Sequence, residues 1–176
     1  VLFRSAELRH RRSDSSASMR FDIAAPESTT LASAGFPSPD GRRLAFIAER
    51  NGQSLVWERP LDSVDARPLA GTEGVVALFW SPDAKAIGFF SGGKLKVVSL
   101  AGGPPQTLAT ISASTSPAGG AWNNDGVVLY AEGRTGLTAI PASGGTPRVV
   151  TQLDVTAREA QHQWPQRSEE HTSELQ

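Results

Sequence analysis

The chain has 176 residues, 39% of them hydrophobic, with a formal net charge of -1 and no cysteine. That is room for one ordinary domain with a real core. Such composition excludes a disordered chain, a disulfide or thiolate framework, and bulk electrostatic attraction to nucleic acid. No apolar run approaches the ~20 residues of a membrane helix. The 17 glycines and 12 prolines favour short strands joined by turns.

The N-terminus reads "VLFRS" and the C-terminal segment begins "RSEEH" at Arg167. Reverse-translated as AGA TCG GAA GAG CAC, the latter has a reverse complement that encodes Val-Leu-Phe-Arg-Ser. Residues 1–5 and 167–176 are therefore expected to be the two strands of one adapter-like DNA, read through at both ends of an insert. A natural polar tail is the alternative. Residues 6–20, with the basic stretch at 8–13 and serines at 13–18, read as a linker. A first strand is expected near residues 19–23.

From Phe36 onward the chain repeats itself. "FPSPDGRRLAFIA" at Phe36, "FWSPDAKAIGFF" at Phe79 and "AWNNDGVVLYA" at Ala121 each read as aromatic, turn, apolar run. Trp80, Trp122 and Trp164 are spaced by 42 and 42, and Phe36 lies 44 before Trp80. Asp40, Asp83 and Asp125 are spaced by 43 and 42, and Pro105 and Pro147 by 42. Several independent markers share one period, which is the signature of a repeat architecture. Four short strands fit each unit. In the second they are predicted at residues 75–80, 86–91, 94–100 and 106–110, with Gly92-Gly93 turning the chain between the middle two.

The turn after each aromatic has its own chemistry. Pro39 and Pro82 preset φ at the second turn position, Asp40 and Asp83 can bond nearby amides, and Gly41 and Gly126 tolerate positive φ. Ala84 replaces that glycine in the second unit and is expected to strain or reshape the turn. The third turn, residues 123–126, keeps turn formers without the proline.

Four strands per ~40–45 residues is one blade of a β-propeller. The predicted fold is all-β: a partial propeller over residues 21–166, with units near 36–74, 75–117 and 118–159 and the start of a fourth. A two-sheet sandwich is the alternative, but nothing in it requires a 42-residue period. The three repeated tryptophans, and Trp57, are expected to pack between blades rather than form a ligand cage. An open ring would leave two blade faces bare, one near residues 36–46 and one on residues 121–150.

Catalytic signals do not accompany the repeat. "GFFSGGKL" at Gly88 nearly matches a phosphate-binding loop, but Leu95 stands where the magnesium-binding hydroxyl belongs. It reads as a hairpin containing Lys94. His10 and His162 lie far apart, and no nucleophile elbow or kinase motif is present. No catalytic, cofactor-binding or metal-binding residue is assigned, and no cofactor is expected. The candidate residues are the repeat markers Phe36, Pro39, Asp40, Gly41, Trp80, Pro82, Asp83, Trp122, Asp125, Gly126 and Trp164.

These repeats, with "WERPLDSVDARPLAGTEG", "GGKLKVVSLAGGPPQTLA" and "PASGGTPRVVTQLD", resemble the TolB-like propellers with Ser-Pro-Asp-Gly repeats. The similarity is greatest to those at the C-terminal end of bacterial receptor-type serine/threonine protein kinases. That resemblance implies an extracytoplasmic, non-catalytic sensor module. It would be tied to a membrane only through a helix of the parent chain, with the parent's remaining blades and an unknown protein or small molecule as partners and no nucleic acid. No kinase residue is carried over, since none of the kinase motifs is present. Related propellers in periplasmic TolB proteins and in prolyl-oligopeptidase-type serine peptidases are the alternatives, the latter using them as a gate.

Overall fold

The computed structural model describes residues 24–111, 117–132, 136–153 and 165. The terminal segments, the linker, the strand expected near residues 19–23, His162 and Trp164 lie outside the described residues. Every regular element among those described is a β-strand.

The strands form three antiparallel sheets in chain order. The first contains β1 (Thr30–Leu31), β2 (Phe36–Pro37), β3 (Arg43–Arg50), β4 (Gln53–Pro60) and β5 (Arg67–Pro68). The second contains β6 (Val75–Trp80), β7 (Ala86–Ser91), β8 (Lys94–Ser99) and β9 (Gln106–Thr110). The third contains β10 (Pro117–Trp122), β11 (Val127–Glu132), β12 (Leu137–Pro141) and β13 (Arg148–Val149). Each sheet is a meander of four strand positions, so each repeat is one blade. In the first blade the leading position is split. Both β1 and β2 pair with β3, at Ala48 and Glu49 and at Leu44 and Ala45 respectively. The leading strands of the other blades stay continuous but carry register shifts, between Val75 and Ala77 and between Pro117 and Gly120.

Turn chemistry explains the hairpins. Arg50 pairs with Gln53 across Asn51-Gly52, whose φ values are 54° and 74°. Ser91 pairs with Lys94 across Gly92-Gly93, at 57° and 67°. Two positive φ angles in a two-residue loop match the twist of the flanking strands, and Asn and Gly are the residues that adopt them readily. The stretch that nearly matches a phosphate-binding loop is this second hairpin.

The middle strands of the first two blades bury side chains on both faces. Along β3, Ala45 and Ile47 point one way, into a cluster with Val56, Trp80, Ile87, Phe89 and Val98. Leu44, Phe46 and Ala48 point the other way and cluster with Trp57. A second seam joins Phe79, Phe90 and Leu95 of the second blade to Val128, Tyr130 and Ile140 of the third. The face expected to lie bare at the front of the first blade is buried instead. Leu44, Phe46, Ala48 and Trp57 are each at most 1% exposed, with Leu31, Leu55, Leu61 and Ala66 packed against them. Phe36 is half-exposed.

Candidate functional site

The turn that leads into the second strand of each blade is held by side-chain hydrogen bonds. In the first, Gly41 N–H donates to the Ser38 carbonyl at 2.9 Å, closing a β-turn around Pro39 and Asp40. The Ser38 hydroxyl donates to Asp40 Oδ1 at 2.5 Å and accepts from Arg43 N–H at 2.9 Å. Asp40 Oδ1 also accepts from Arg42 N–H at 3.1 Å. One hydroxyl and one carboxylate thus satisfy two backbone donors that the turn leaves over.

The second turn repeats this set. Ser81 Oγ donates to Asp83 Oδ1 at 2.7 Å and accepts from Ala86 N–H at 2.9 Å, and Lys85 N–H reaches Asp83 Oδ1 at 3.1 Å. Ala84 keeps the closing bond to the Ser81 carbonyl at 3.1 Å and takes φ 56°. Of the two outcomes expected there, strain is found and reshaping is not. The methyl group is buried in the same cluster as Ile87 and Val98, which offsets the unfavourable backbone.

In both turns the serine hydroxyl is the main cause that holds the aspartate below its ordinary value of 3.8, followed by the backbone N–H two residues on. Both carboxylates are therefore ionised at neutral pH.

The third turn is built differently. Asn123 takes the serine's place: its Oδ1 accepts from Val127 N–H at 2.8 Å and its Nδ2 donates to Asp125 Oδ2 at 3.3 Å. An amide has the acceptor and the donor that a hydroxyl combines, so it fills both roles. Its partner is four residues on, whereas Ser38 and Ser81 reach five. The third turn is one residue shorter.

Between the second and third turns lies an open cleft of about 420 Å³. The second blade contributes Pro82, Asp83, Lys85 and Ser99, and the third contributes Trp122, Asn123 and Asn124. Trp122 is half-buried there. Its counterpart Trp80 is 9% exposed, and its Nε1–H donates to the Phe36 carbonyl of the first blade at 2.8 Å.

The structure thus divides the sequence markers. Pro82, Asp83, Trp122 and Gly126 line one cleft. Phe36 and Trp80 meet Phe79, Gly120 and Pro165 at a smaller apolar pocket of about 260 Å³. Gly41 borders a third cleft with Arg42, Arg43 and Leu61, while Pro39 and Asp40 remain in the first turn. Trp164 lies outside the described residues. Among the described residues, no group of three His, Asp or Glu side chains could hold a metal ion.

Sequence reading missed Lys85, Ser99 and Asn124, whose proximity depends on two neighbouring blades. It also missed the shortened third turn, although Gly126 runs directly into the apolar stretch from Val127 whereas Gly41 and Ala84 are each followed by a basic residue. Glu58 was missed too. It is buried and paired with Arg67 at 2.8 Å and Arg43 at 3.5 Å, and Arg67 reaches on to the Leu100 carbonyl of the next blade at 3.3 Å.

No protein-family model matches the chain, and no curated protein does. Solved structures do. TolB from Acinetobacter baumannii superposes with a TM-score of 0.57 at 20% identity, over 69% of this chain and 33% of that one. Oligogalacturonate lyase from Vibrio parahaemolyticus gives 0.55 at 18% identity, over 66% of this chain and 38% of that one. The AtxE2 isopeptidase gives 0.53 at 15% identity, over 75% of this chain and 31% of that one. At such identities the likeness establishes the fold, a partial TolB-like β-propeller. The chain spans about a third of the length of these proteins.

Proposed function

We propose that this chain is a non-catalytic binding module, part of a propeller that engages a ligand or protein at its blade ends. The observation that carries the reading is the cleft between the second and third turns. It gathers Asp83, Lys85, Ser99 and Asn124 around a half-buried Trp122. Propellers place variable loops on a rigid repeat scaffold, where binding residues concentrate.

For the setting, we propose the extracytoplasmic sensor region of a bacterial serine/threonine protein kinase, as the Ser-Pro-Asp-Gly repeats resemble. The remaining blades of the parent chain would complete the ring. The second reading, the gating propeller of a serine peptidase, is favoured by the match to the AtxE2 isopeptidase. A periplasmic TolB-type interaction propeller is favoured by the match to TolB. Sequencing the DNA that flanks this coding region discriminates among them. Upstream H-R-D and D-F-G motifs support the kinase, a downstream G-x-S-x-G supports the peptidase, and a signal peptide with neither supports the TolB type.

A further inference from the structure

The repeat supplies an internal reference, so departures from it stand out. The first and second turns share one hydrogen-bond set and the third is one residue shorter. The tryptophan before the second turn is buried and bonded through its indole N–H, whereas the tryptophan before the third is half-buried, with one part packed against the cluster of the second seam and another lining a cleft. The only blade boundary where a shortened turn meets an accessible indole, among the described residues, is that between the second and third blades.

The charged and amide groups that face this cleft belong to side chains. Many backbone donors of the two turns are already used: Ala84, Lys85 and Ala86 on one side, Asn123, Gly126 and Val127 on the other. An extended peptide that binds by strand addition needs a run of unpaired main-chain groups along a strand edge, and these two turns offer no such run. An amphipathic helix needs an apolar groove, and this rim is charged and amidic. What remains open is one carboxylate oxygen of Asp83, the Lys85 ammonium, the Ser99 hydroxyl proton and the Asn124 amide. They combine donors and acceptors around the Trp122 ring. A ligand that matches them has many hydroxyl groups at its edges and a face of C–H bonds. Those C–H groups, polarised by neighbouring oxygens, sit on the negative face of an indole. A cleft of about 420 Å³ lies within the usual size range of small-molecule sites.

We propose that the cleft between the second and third blades is a saccharide-binding site, with Trp122 as the platform and Asp83, Lys85 and Asn124 as the groups that grip ring hydroxyls. The assignment rests on the binding-module reading above and names its ligand class.

The test uses the 176-residue chain with maltotriose, N-acetylchitotriose and trigalacturonate as probes, read by saturation-transfer NMR and by tryptophan fluorescence titration. At least one trisaccharide should bind. Of the exposed-site variants, which leave the core intact, Lys85→Ala should weaken it by about tenfold or more, the effect of losing a hydrogen bond to a charged group, and Asn124→Ala by about two- to tenfold. Trp122→Ala should abolish it, and circular dichroism separates that loss from misfolding. Absence of binding by all three sugars, or binding indifferent to both exposed variants, overturns the saccharide assignment. A displayed peptide library run in parallel keeps the two readings apart. Peptides whose binding is lost in Asn124→Ala would refute the sugar and leave the binding module standing, whereas silence from both probes would refute both.

Discussion

The two seams between blades are held by different means. The first, between β3–β4 and β6–β8, combines a mixed aliphatic and aromatic cluster with polar ties that cross the boundary. Trp80 Nε1–H bonds the Phe36 carbonyl, and Arg67, anchored on buried Glu58, bonds the Leu100 carbonyl. The second centres on one ring. Phe79 lies between Gly88 of its own blade and Gly120 of the next, so close that a Cβ on either glycine would overlap it. Phe90 and Tyr130 belong to that cluster, and an exposed bond from Gln106 to the Ser143 carbonyl crosses the same seam. One repeat can thus be joined to its neighbour by directional bonds or by shape. The first tolerates changes of volume poorly at few points; the second tolerates none at the glycine slot.

The largest effects are expected at that slot. Phe79→Ala should destabilise the chain by roughly 3–5 kcal/mol, as for other buried aromatic truncations. Gly120→Ala should cost about 1–3 kcal/mol through overpacking, and Phe79→Leu should rescue part of it, because the two residues share one space. Urea denaturation of the single and double variants measures the coupling. If the two losses simply add, the seam is not a slot.

At the first seam, Trp80→Phe removes the indole donor and leaves the Phe36 carbonyl without it. A loss of roughly 1–3 kcal/mol is expected. The same exchange at Trp122, which is half-buried, should cost clearly less. Equal losses in calorimetry would show that the two tryptophans are equivalent after all.

A smaller effect concerns the turns that flank the seams. The folded Asp40 and Asp83 carboxyls lie below their unfolded value, so their contribution to stability is complete above pH ~4. It is lost as pH falls from the ordinary value of 3.8 through the lower folded value. Ser81→Ala removes the main cause at Asp83 and should shrink the stability difference between pH 7 and pH 3. An unchanged difference in thermal melts would assign the acid sensitivity to other groups.

The smallest effect is expected at Ala84, where opposing terms meet. Replacement by Gly relieves about 1–2 kcal/mol of left-handed strain. It costs about 0.5–1 kcal/mol in chain entropy and about 0.8 kcal/mol for the buried methyl. Ala84→Gly should therefore change stability by less than about 1 kcal/mol in either direction. Gly41→Ala, with φ 67° and open space around it, lacks any such packing gain and should be the more costly change. Denaturation midpoints decide between them.

Much of the fold was legible in the amino-acid order because its signals are local or periodic. The 42-residue spacing of the tryptophans, the turn formers from Ser38 to Gly41 and the glycine pair at Gly92 are read within a few residues or by simple counting. They determined the four-stranded unit, its hairpins and its number. The strands of the second blade fall where alternation and turns place them, apart from Leu100, which lies just past β8. Other features depend on side chains that the sequence separates and the blades bring together. Gly120 meets Phe79 from 41 positions away, and Arg67 meets Leu100 from 33. No local pattern encodes such pairs, because a glycine in a strand reads as weakness until the ring it admits is known. The split of the first blade's leading strand, the burial of its front face and the cleft beside Trp122 belong to the same class. Repetition is written along the chain, but which surfaces it leaves open is decided only where one blade packs against the next.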